Sequence, residues 1–313
     1  MLVLSRADVE ALLDLNALVD ALADAFADLS AGRASMPQRV AAFSPHGLLG
    51  VMPAYLASAN VLETKLVTLF EGNAGTELPT HQAAIGVFDP ETGAMTALMD
   101  GTYITATRTA AGVALSVRLL AREDARVLAI CGTGVQARTH ADAVRRVRSF
   151  AEVRIAGRDR ARVEALAREI DCEPAASFED AVRGADVVCA TTHSPEPVVR
   201  GDWLAPGAHV TSVGVNPQGR EVAEDVVAAA RVFVESRDAA LAPFPAGSND
   251  LAGVGAEALT EIGEVVAGTR PGRESADELT LYKSVGIGVM DAAAAALVLD
   301  AARRQGVGRE VEL

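Results

Sequence analysis

Residues 126–137, RVLAICGTGVQA, constrain the fold more than any other segment of the chain. An apolar run predicts a buried strand, the glycines that follow predict a tight turn, and the next residues, ARTHADAVRRVR, predict a helix. In this context the spacing Gly-x-Gly-x-x-Ala is typical of dinucleotide binding, because glycines admit a close approach of a pyrophosphate to the backbone and the helix N-terminus attracts phosphate. The expected cofactor contacts here are Gly132, Thr133, Gly134, Val135, Gln136 and Ala137.

The position of this motif in mid-chain indicates two domains. At 313 residues, the chain exceeds the roughly 250–300 residues at which a single hydrophobic core usually stops growing. Residues 40–99 alternate short strand patterns with turns, which predicts a mainly antiparallel sheet. Beyond the glycine turn, strand and helix patterns alternate as in a parallel sheet. The predicted fold class is α/β, a Rossmann dinucleotide-binding domain with a second, α+β domain.

Apolar periodicity predicts the other elements. A helix capped by Ser5 is expected through residues 6–30, and a helix over 107–121 leads into the strand of the glycine motif. The later strands are expected at 153–157, 186–192, 209–215 and 231–235, a Pro- and Gly-rich loop at 242–255, and the last helix at about 286–304.

Composition excludes several classes of protein. The formal net charge of −14 argues against nucleic acid or an anionic membrane as a partner. No apolar run reaches the roughly 18 residues of a membrane span, and the N-terminal segment has no signal-peptide layout. Cys131, Cys172 and Cys189 have no metal-binding spacing and lie in or near apolar segments, which predicts buried thiols in a cytoplasmic protein.

Other catalytic motifs are missing from the sequence. It has no H-E-x-x-H string and no cluster of cysteine and histidine, so no metal is expected. It also has no G-x-S-x-G string, which argues against a serine hydrolase. The histidines His46, His140 and His209 are expected on the surface or in loops.

Only two of the 28 basic residues are lysines, Lys65 and Lys283. A high-GC genome explains the general preference for arginine. Lysines that survive this preference are candidates for positions where arginine cannot substitute, because an ammonium can shift its pKa and transfer a proton whereas a guanidinium effectively cannot. At this point Lys65 is either a functional ammonium or an ordinary basic residue.

Two polar strand ends bear on the cofactor. The second strand of the parallel part ends in Gly157, Arg158 and Asp159. An arginine here suits the 2′-phosphate of NADP, whereas an acidic residue suits the ribose hydroxyl of NAD. We favour NADP(H), and Asp159 is the argument for NAD(H). Thr191 and Thr192 either border the nicotinamide ribose or form a polar strand end.

Several segments together resemble the ornithine cyclodeaminase/μ-crystallin family. They are MPQR (36–39), MPAY (52–55), KLVTLFEGNAGTELPTHQAAIGVFDPETGAMTALMDGTYITATRTAA (65–111), GTGVQAR, GAHVTSVG (207–214) and ELTLYKSVGIGVMD (278–291). The resemblance spans nearly the whole chain in the right order, and the chain is identified as a member of the family. It implies a Rossmann NAD(P)-binding domain, 121–287, inserted into a substrate-binding and dimerisation domain of residues 1–120 completed by 288–313, and it implies a homodimer.

The resemblance also implies site residues. By position, Arg39 and Arg108 correspond to a clamp on the substrate carboxylate, and Lys65 to a catalytic cation at the reacting nitrogen. Thr80 corresponds to a position where substrate and cofactor meet. Arg108, Thr80, Val213, Gly214, Ser284, Val285 and Gly286 correspond to cofactor contacts, and Asn216 to a substrate contact.

Two departures from the family pattern bear on the substrate. Members that cyclise ornithine carry a glutamate where this chain has Gly50, and an aspartate nearest to Asn216. Without these carboxylates the second amine of a diamine has no anionic partner. The leading hypothesis is an NAD(P)H-dependent reductase of small α-imino acids, such as pyrroline-2-carboxylate or piperideine-2-carboxylate, or the reverse amino-acid dehydrogenase. Two alternatives stay open: an ornithine or lysine cyclodeaminase that releases ammonia, and an NADPH-dependent small-ligand binding protein.

Overall fold

A computed structural model describes residues 1–312, and these residues form two compact units. One unit comprises residues 1–108 together with the C-terminal segment from Ile287, and the other comprises Thr109–Gly286. In the described part of the chain, no helix is both long and apolar enough to cross a membrane. The functional division at 120/121 and 287/288 stays a prediction.

The elements are numbered in chain order. The strands are β1 (Leu2–Leu4), β2 (Val40–Ser44), β3 (Gly47–Leu56), β4 (Val61–Leu69), β5 (His81–Phe88), β6 (Met95–Asp100), β7 (Val127–Cys131), β8 (Glu152–Ala156), β9 (Glu173–Pro174), β10 (Val187–Ala190), β11 (His209–Ser212), β12 (Arg231–Val234), β13 (Leu259–Glu261), β14 (Thr280–Lys283) and β15 (Arg309–Glu310). The helices are α1 (Arg6–Leu12), α2 (Leu15–Ser30), α3 (Gly101–Leu120), α4 (Val135–Val147), α5 (Arg160–Glu169), α6 (Phe178–Val182), α7 (Glu224–Ala229), α8 (Arg237–Ala240), α9 (Ile262–Val266) and α10 (Gly288–Gln305).

The first unit is built on a sheet with the order β15-β1-β6-β5-β4-β3-β2. The predicted antiparallel sheet over residues 40–99 is confirmed, and β1 adds a strand that pairs parallel to β6. Helix α10 packs on β3 and β4 and also against α2. Along β4 the residues Val61, Glu63 and Lys65 are buried while their neighbours are partly exposed. Because side chains alternate along a strand, Glu63 and Lys65 lie on the same face.

Two helices differ from the sequence prediction in their boundaries. The predicted helix over 6–30 is two helices, because Leu13 is extended and Asp14 caps α2 by accepting a hydrogen bond from Ala17 N at 2.7 Å. Helix α3 begins at Gly101, earlier than predicted, directly after β6. This extension places Arg108 within a helix instead of near its start.

The second unit is a parallel sheet of eight strands, with the order β13-β12-β14-β11-β10-β7-β8-β9. Its core is filled by small apolar residues, chiefly alanine and valine. The strand order reverses at β7, which is flanked by β8 on one side and β10 on the other. Such a switch point opens a crevice at the carboxyl ends of the strands. The predicted α/β class, with a Rossmann domain and a second α+β domain, is confirmed.

The predictions for two histidines were wrong. His46 is exposed, but His140 and His209 are fully buried. His209 Nδ1 lies 2.9 Å from Thr280 Oγ1, and its Nε2 lies 3.2 Å from Ser116 Oγ. Burial lowers the pKa of His209 to about 3 and that of His140 to about 4. A neutral imidazole with hydroxyl partners is compatible with a core, which polarity alone does not reveal.

Candidate active site

Three buried charged side chains meet in the first unit. Strand β4 carries Lys65, α3 carries Arg108 and α10 carries Asp291, which are 1%, 4% and 0% exposed. Lys65 Nζ lies 2.7 Å from Asp291 Oδ2, and Arg108 Nε donates to Asp291 Oδ1 at 3.0 Å. One carboxylate therefore orients two cations, each through a different oxygen.

The electrostatics of this cluster bring Lys65 close to neutral pH. Burial and the charge of Arg108 lower the pKa of Lys65 to about 7, although Asp291 acts in the opposite direction. Burial alone would raise the pKa of Asp291, but Arg108 and Lys65 together hold it below its usual value. Asp291 therefore stays ionised, while Lys65 can exchange a proton near neutral pH.

Glu63 is a fourth member of the cluster, and the sequence analysis missed it. It is 1% exposed, and within the described residues neither of its carboxyl oxygens has a hydrogen-bond partner. Its cross-strand neighbours are Ala54 and Val87, which are apolar. Burial, and then the charge of Asp291, raise its pKa well above the usual value. Its surroundings therefore favour the neutral form of Glu63, while Lys65, Arg108 and Asp291 together bring two positive charges and one negative charge when Lys65 is protonated.

Of the two residues predicted to hold the substrate carboxylate, Arg108 is part of this cluster and Arg39 lies near enough to act on Lys65. Arg39 is half-buried, and its positive charge contributes to the lowered pKa of Lys65. A Cβ atom at Gly50 would lie 3.7 Å from Arg39 Cδ and 3.3 Å from Val67 Cγ1. A side chain at this position would therefore press against Val67 and approach Arg39. Thr80 lies elsewhere in the same unit, in the loop before β5, where Phe70 N donates to Thr80 O at 2.9 Å.

In the second unit, the glycine turn has the geometry that a pyrophosphate needs. Gly132 has a φ of +130°, and a Cβ there would lie 2.5 Å from Thr191 Oγ1, so only glycine fits. Gly134 is the N-cap residue of α4 and has no atom within 4 Å of its ideal Cβ position. Ala137 is fully buried. The open backbone at the start of α4 fits a dinucleotide phosphate, with Thr133, Val135 and Gln136 alongside.

The two candidate ribose contacts, Arg158 and Asp159, follow the end of β8. A Cβ at Gly157 would lie 2.7 Å from Thr133 Cγ2, so β8 and the glycine turn approach closely. Asp159 caps α5 and accepts a hydrogen bond from Arg162 N at 3.2 Å. Arg158 is exposed. Both side chains are exposed, but the acidic residue also caps the helix.

The loops after β10 and β11 are joined by Glu221, which the sequence analysis also missed. Thr191 Oγ1 donates to Cys131 O at 2.9 Å. Thr192 Oγ1 and Gly214 N both donate to Glu221, each at 2.8 Å. The signal in the sequence was weak, because a buried carboxylate outside any motif has no recognisable pattern.

The remaining predicted residues lie in loops of the same unit. Val213 follows β11 directly. Asn216 donates to His193 O, in the loop after β10, at 3.2 Å and accepts from Gln218 N, in its own loop, at 2.8 Å. After β14, Glu235 accepts from Ser284 Oγ, Val285 N and Gly286 N, and Gly286 has a φ of +67°.

A glycine turn at the switch point of a parallel sheet, together with a buried ammonium, defines an NAD(P)-dependent oxidoreductase. Comparison with known proteins narrows this class. The chain belongs to the ornithine cyclodeaminase/mu-crystallin family, whose model matches residues 1–306. This confirms the resemblance inferred from the motifs.

The relatives share both sequence and fold. The ketimine reductase mu-crystallin of Mus musculus is 42% identical over 257 residues, which cover 81% of this chain and 80% of that protein. The structure of Thermococcus litoralis Δ1-pyrroline-2-carboxylate reductase in complex with NADH and L-proline is 34% identical, with a TM-score of 0.93 over 99% of this chain and 100% of that one. An archaeal alanine dehydrogenase dimer with bound NAD is 30% identical, with a TM-score of 0.92 over 100% and 99%.

Proposed function

We propose that this protein is an NAD(P)H-dependent reductase of small cyclic α-imino acids, acting on the C–N bond, with amino-acid dehydrogenation as the reverse reaction. The observation that carries this proposal is the buried cluster of Lys65, Arg108 and Asp291. Its excess positive charge matches one substrate carboxylate, and its ammonium titrates near neutral pH. The activities named for the mouse and Thermococcus relatives support the same chemistry.

Each residue of the cluster has a distinct part in this reaction. Arg39 and Arg108 hold the substrate carboxylate, because guanidinium groups bind carboxylates in a directed, bidentate manner. Lys65 gives its proton to the imine nitrogen, which makes the adjoining carbon electrophilic. Asp291 orients Lys65 and Arg108 and stays ionised throughout. An open-chain 2-oxo acid with ammonia is a second substrate of the same type, supported by the alanine dehydrogenase relative.

The coenzyme is held by the second unit, and when bound it supplies the hydride. The residues suited to hold its phosphates lie in the glycine turn, chiefly Gly132 and Gly134. We favour NADP(H), because Arg158 is exposed at the end of β8 while Asp159 is engaged in capping α5. Replacing Arg158→Ala is expected to weaken NADPH binding more than NADH binding. Arg160→Ala is the matched control, since Arg160 pairs with Glu164 at 2.8 Å.

The substrate is tested by following the oxidation of NADPH and NADH with pyrroline-2-carboxylate and piperideine-2-carboxylate. Pyruvate with ammonia tests the open-chain substrate, and ammonia release from L-ornithine tests the cyclodeaminase. Oxidation with a cyclic imine is expected, together with loss of at least about 100-fold in turnover for Lys65→Met. Ammonia from ornithine without net oxidation would contradict the reductase, as would tight coenzyme binding without turnover of any substrate.

A homodimer is also proposed, formed through the outer face of the first sheet. The side chains of Val40, Leu49 and Leu66 share this face by strand register and are 63%, 41% and 42% exposed. An apolar sheet face of this kind favours a partner surface, and the alanine dehydrogenase relative is a dimer. Leu66→Glu is expected to shift the sedimentation coefficient toward that of a monomer. Phe43→Glu, on the opposite face of β2, serves as the control.

The cysteines support a location in the cytoplasm. Cys131, Cys172 and Cys189 are all free thiols, and free thiols are typical of reducing compartments. Burial raises the pKa of Cys189 to about 12 and that of Cys172 to about 11, so neither is a reactive thiolate. Fractionation of the source cells tests this location.

A further inference from the structure

Lys283, the second of the two lysines, is fully buried at the end of β14. Its Nζ lies 2.6 Å from Asp250 Oδ2, and it donates to Ser212 Oγ at 2.8 Å and to Gly214 O. An ammonium has three donors, and here each has its own partner. A planar guanidinium cannot direct its donors in this way within the same space. This geometry explains why lysine stands here in a chain whose basic residues, apart from Lys65 and Lys283, are all arginines.

Glu221 continues the network on the other side of Ser212. Ser212 Oγ donates to Glu221 Oε2 at 2.7 Å, and Glu221 N donates to Asp250 Oδ1 at 2.7 Å. We call Lys283, Asp250, Ser212 and Glu221 the Lys283 network; all four are at most 2% exposed. The network ends at the loops after β10 and β11, because Glu221 accepts from Thr192 and from Gly214, as described for the site.

The two loops are in close contact where the network joins them. A Cβ at Gly214 would lie 2.3 Å from Thr192 O and 2.7 Å from Glu221 Oε2. Any other residue at 214 would push the loops apart. The spacing between the loops is therefore set by a buried network beneath them and by the glycine between them.

These loops belong to the nicotinamide half of the sheet. Strands β14, β11 and β10 are adjacent and parallel, so their carboxyl ends lie at one edge. In a Rossmann sheet the strands beyond the switch point bind the second mononucleotide, whereas the glycine turn binds the pyrophosphate. The loops that carry Thr192 and Gly214 are the ones that follow β10 and β11 at this edge.

We propose that the Lys283 network positions the nicotinamide half of the coenzyme site by holding the loops after β10 and β11 at a fixed spacing. Lys283 and Glu221 are positioning residues, since they act only through Thr192 and Gly214. The proposal depends on dinucleotide binding by the second unit and not on the identity of the imino-acid substrate. Its test can therefore succeed or fail independently of the proposed reaction.

The test compares whole coenzymes with fragments that lack nicotinamide. Dissociation constants for NADPH, NADH, ADP-ribose and 2′-phospho-ADP-ribose are measured by calorimetry on wild type, Lys283→Met and Lys283→Arg. In both variants the dissociation constants of NADPH and NADH are expected to rise by about tenfold or more. Those of the two fragments are expected to change by less than about twofold. A general structural defect would weaken the binding of all four ligands to the same extent.

Two further variants keep the test decisive. Ser212→Ala removes only the hydroxyl that links Lys283 to Glu221. It is expected to weaken coenzyme binding less than Lys283→Met does, again without changing fragment binding. This variant provides the test if Lys283→Met does not fold. Asp186→Asn is the matched control, because Asp186 accepts from Arg122 Nη2 at 2.6 Å and from Val127 N at 2.9 Å at the amino end of the sheet. It is expected to lower the melting temperature without changing coenzyme binding. Equal weakening of coenzymes and fragments, or unchanged coenzyme binding in folded variants, would overturn the proposal.

Discussion

Lys65 Nζ lies 2.7 Å from Asp291 Oδ2, and both side chains are almost completely removed from solvent. The pair joins a strand near the start of the chain to a helix near its end. Because Arg108 uses the other oxygen of Asp291, the carboxylate is the centre on which both cations depend. The expected behaviour of the site follows from this dependence.

Replacing Asp291→Asn is expected to destabilise the protein by about 3–5 kcal/mol, because two buried cations lose their counter-charge. Urea unfolding monitored by circular dichroism measures the change. Asp300→Asn on the same helix is the matched control: Asp300 pairs with Arg304 at 2.7 Å on the surface, and such exposed pairs contribute at most about 1 kcal/mol. Similar losses for the two variants would contradict the central role of Asp291.

The rate of imine reduction is expected to depend on the protonation of Lys65. Its pKa is lowered to about 7, so the ammonium is present below neutral pH, and kcat/KM is expected to fall as the pH rises through this value. Lys65→Arg keeps the charge but cannot release a proton, and it is expected to lose this inflection and about 100-fold in rate. An unchanged inflection in Lys65→Arg would assign the titration to another group.

Stability is expected to depend on pH through the raised pKa of Glu63. The pKa of Glu63 is raised in the folded protein, so folding takes up a proton, and its contribution to stability is lost as the pH rises from the unfolded value of 4.5 toward the folded pKa. Glu63→Gln cannot ionise and is expected to flatten this part of the stability curve. Glu257→Gln, at an exposed position, should leave the curve unchanged. Parallel curves for wild type and Glu63→Gln would show that Glu63 is ionised.

Gly50→Glu is expected to weaken substrate binding. The new Cβ would lie 3.7 Å from Arg39 Cδ. The carboxylate that it carries would compete with the substrate carboxylate for Arg39, so KM for a cyclic imino acid should rise by about tenfold or more. Gly50→Gln has the same size without the charge and is expected to have a smaller effect. Equal effects of the two substitutions would mean that space, and not charge, matters at this position.

Local patterns were sufficient to predict the glycine turn of the second unit. The glycine turn was predicted because strand, turn and helix are contiguous, and the structure gives Gly132 a φ that favours glycine. The histidines show the limit of such patterns. His140 and His209 look like surface residues in sequence, but the helix and sheet around them provide partners and exclude water.

The prediction of the substrate-binding residues depended instead on the resemblance to the family. Arg39, Lys65 and Arg108 lie in three separate segments, and no spacing in the sequence implies that they meet. Glu63 was missed because an acidic residue on a strand is ordinarily exposed. Its unusual state appears only once α10 covers β4.

The sequence by itself determined the elements whose causes are local: the antiparallel runs, the glycine turn with its helix, and the choice of lysine at two positions. Only the tertiary structure decided which charges are buried together, namely Asp291 with Lys65 and Arg108, and Lys283 with Asp250. The physical reason is that burial and charge pairing depend on distant segments packing together. The same side chains in water would have ordinary pKa values and no partners.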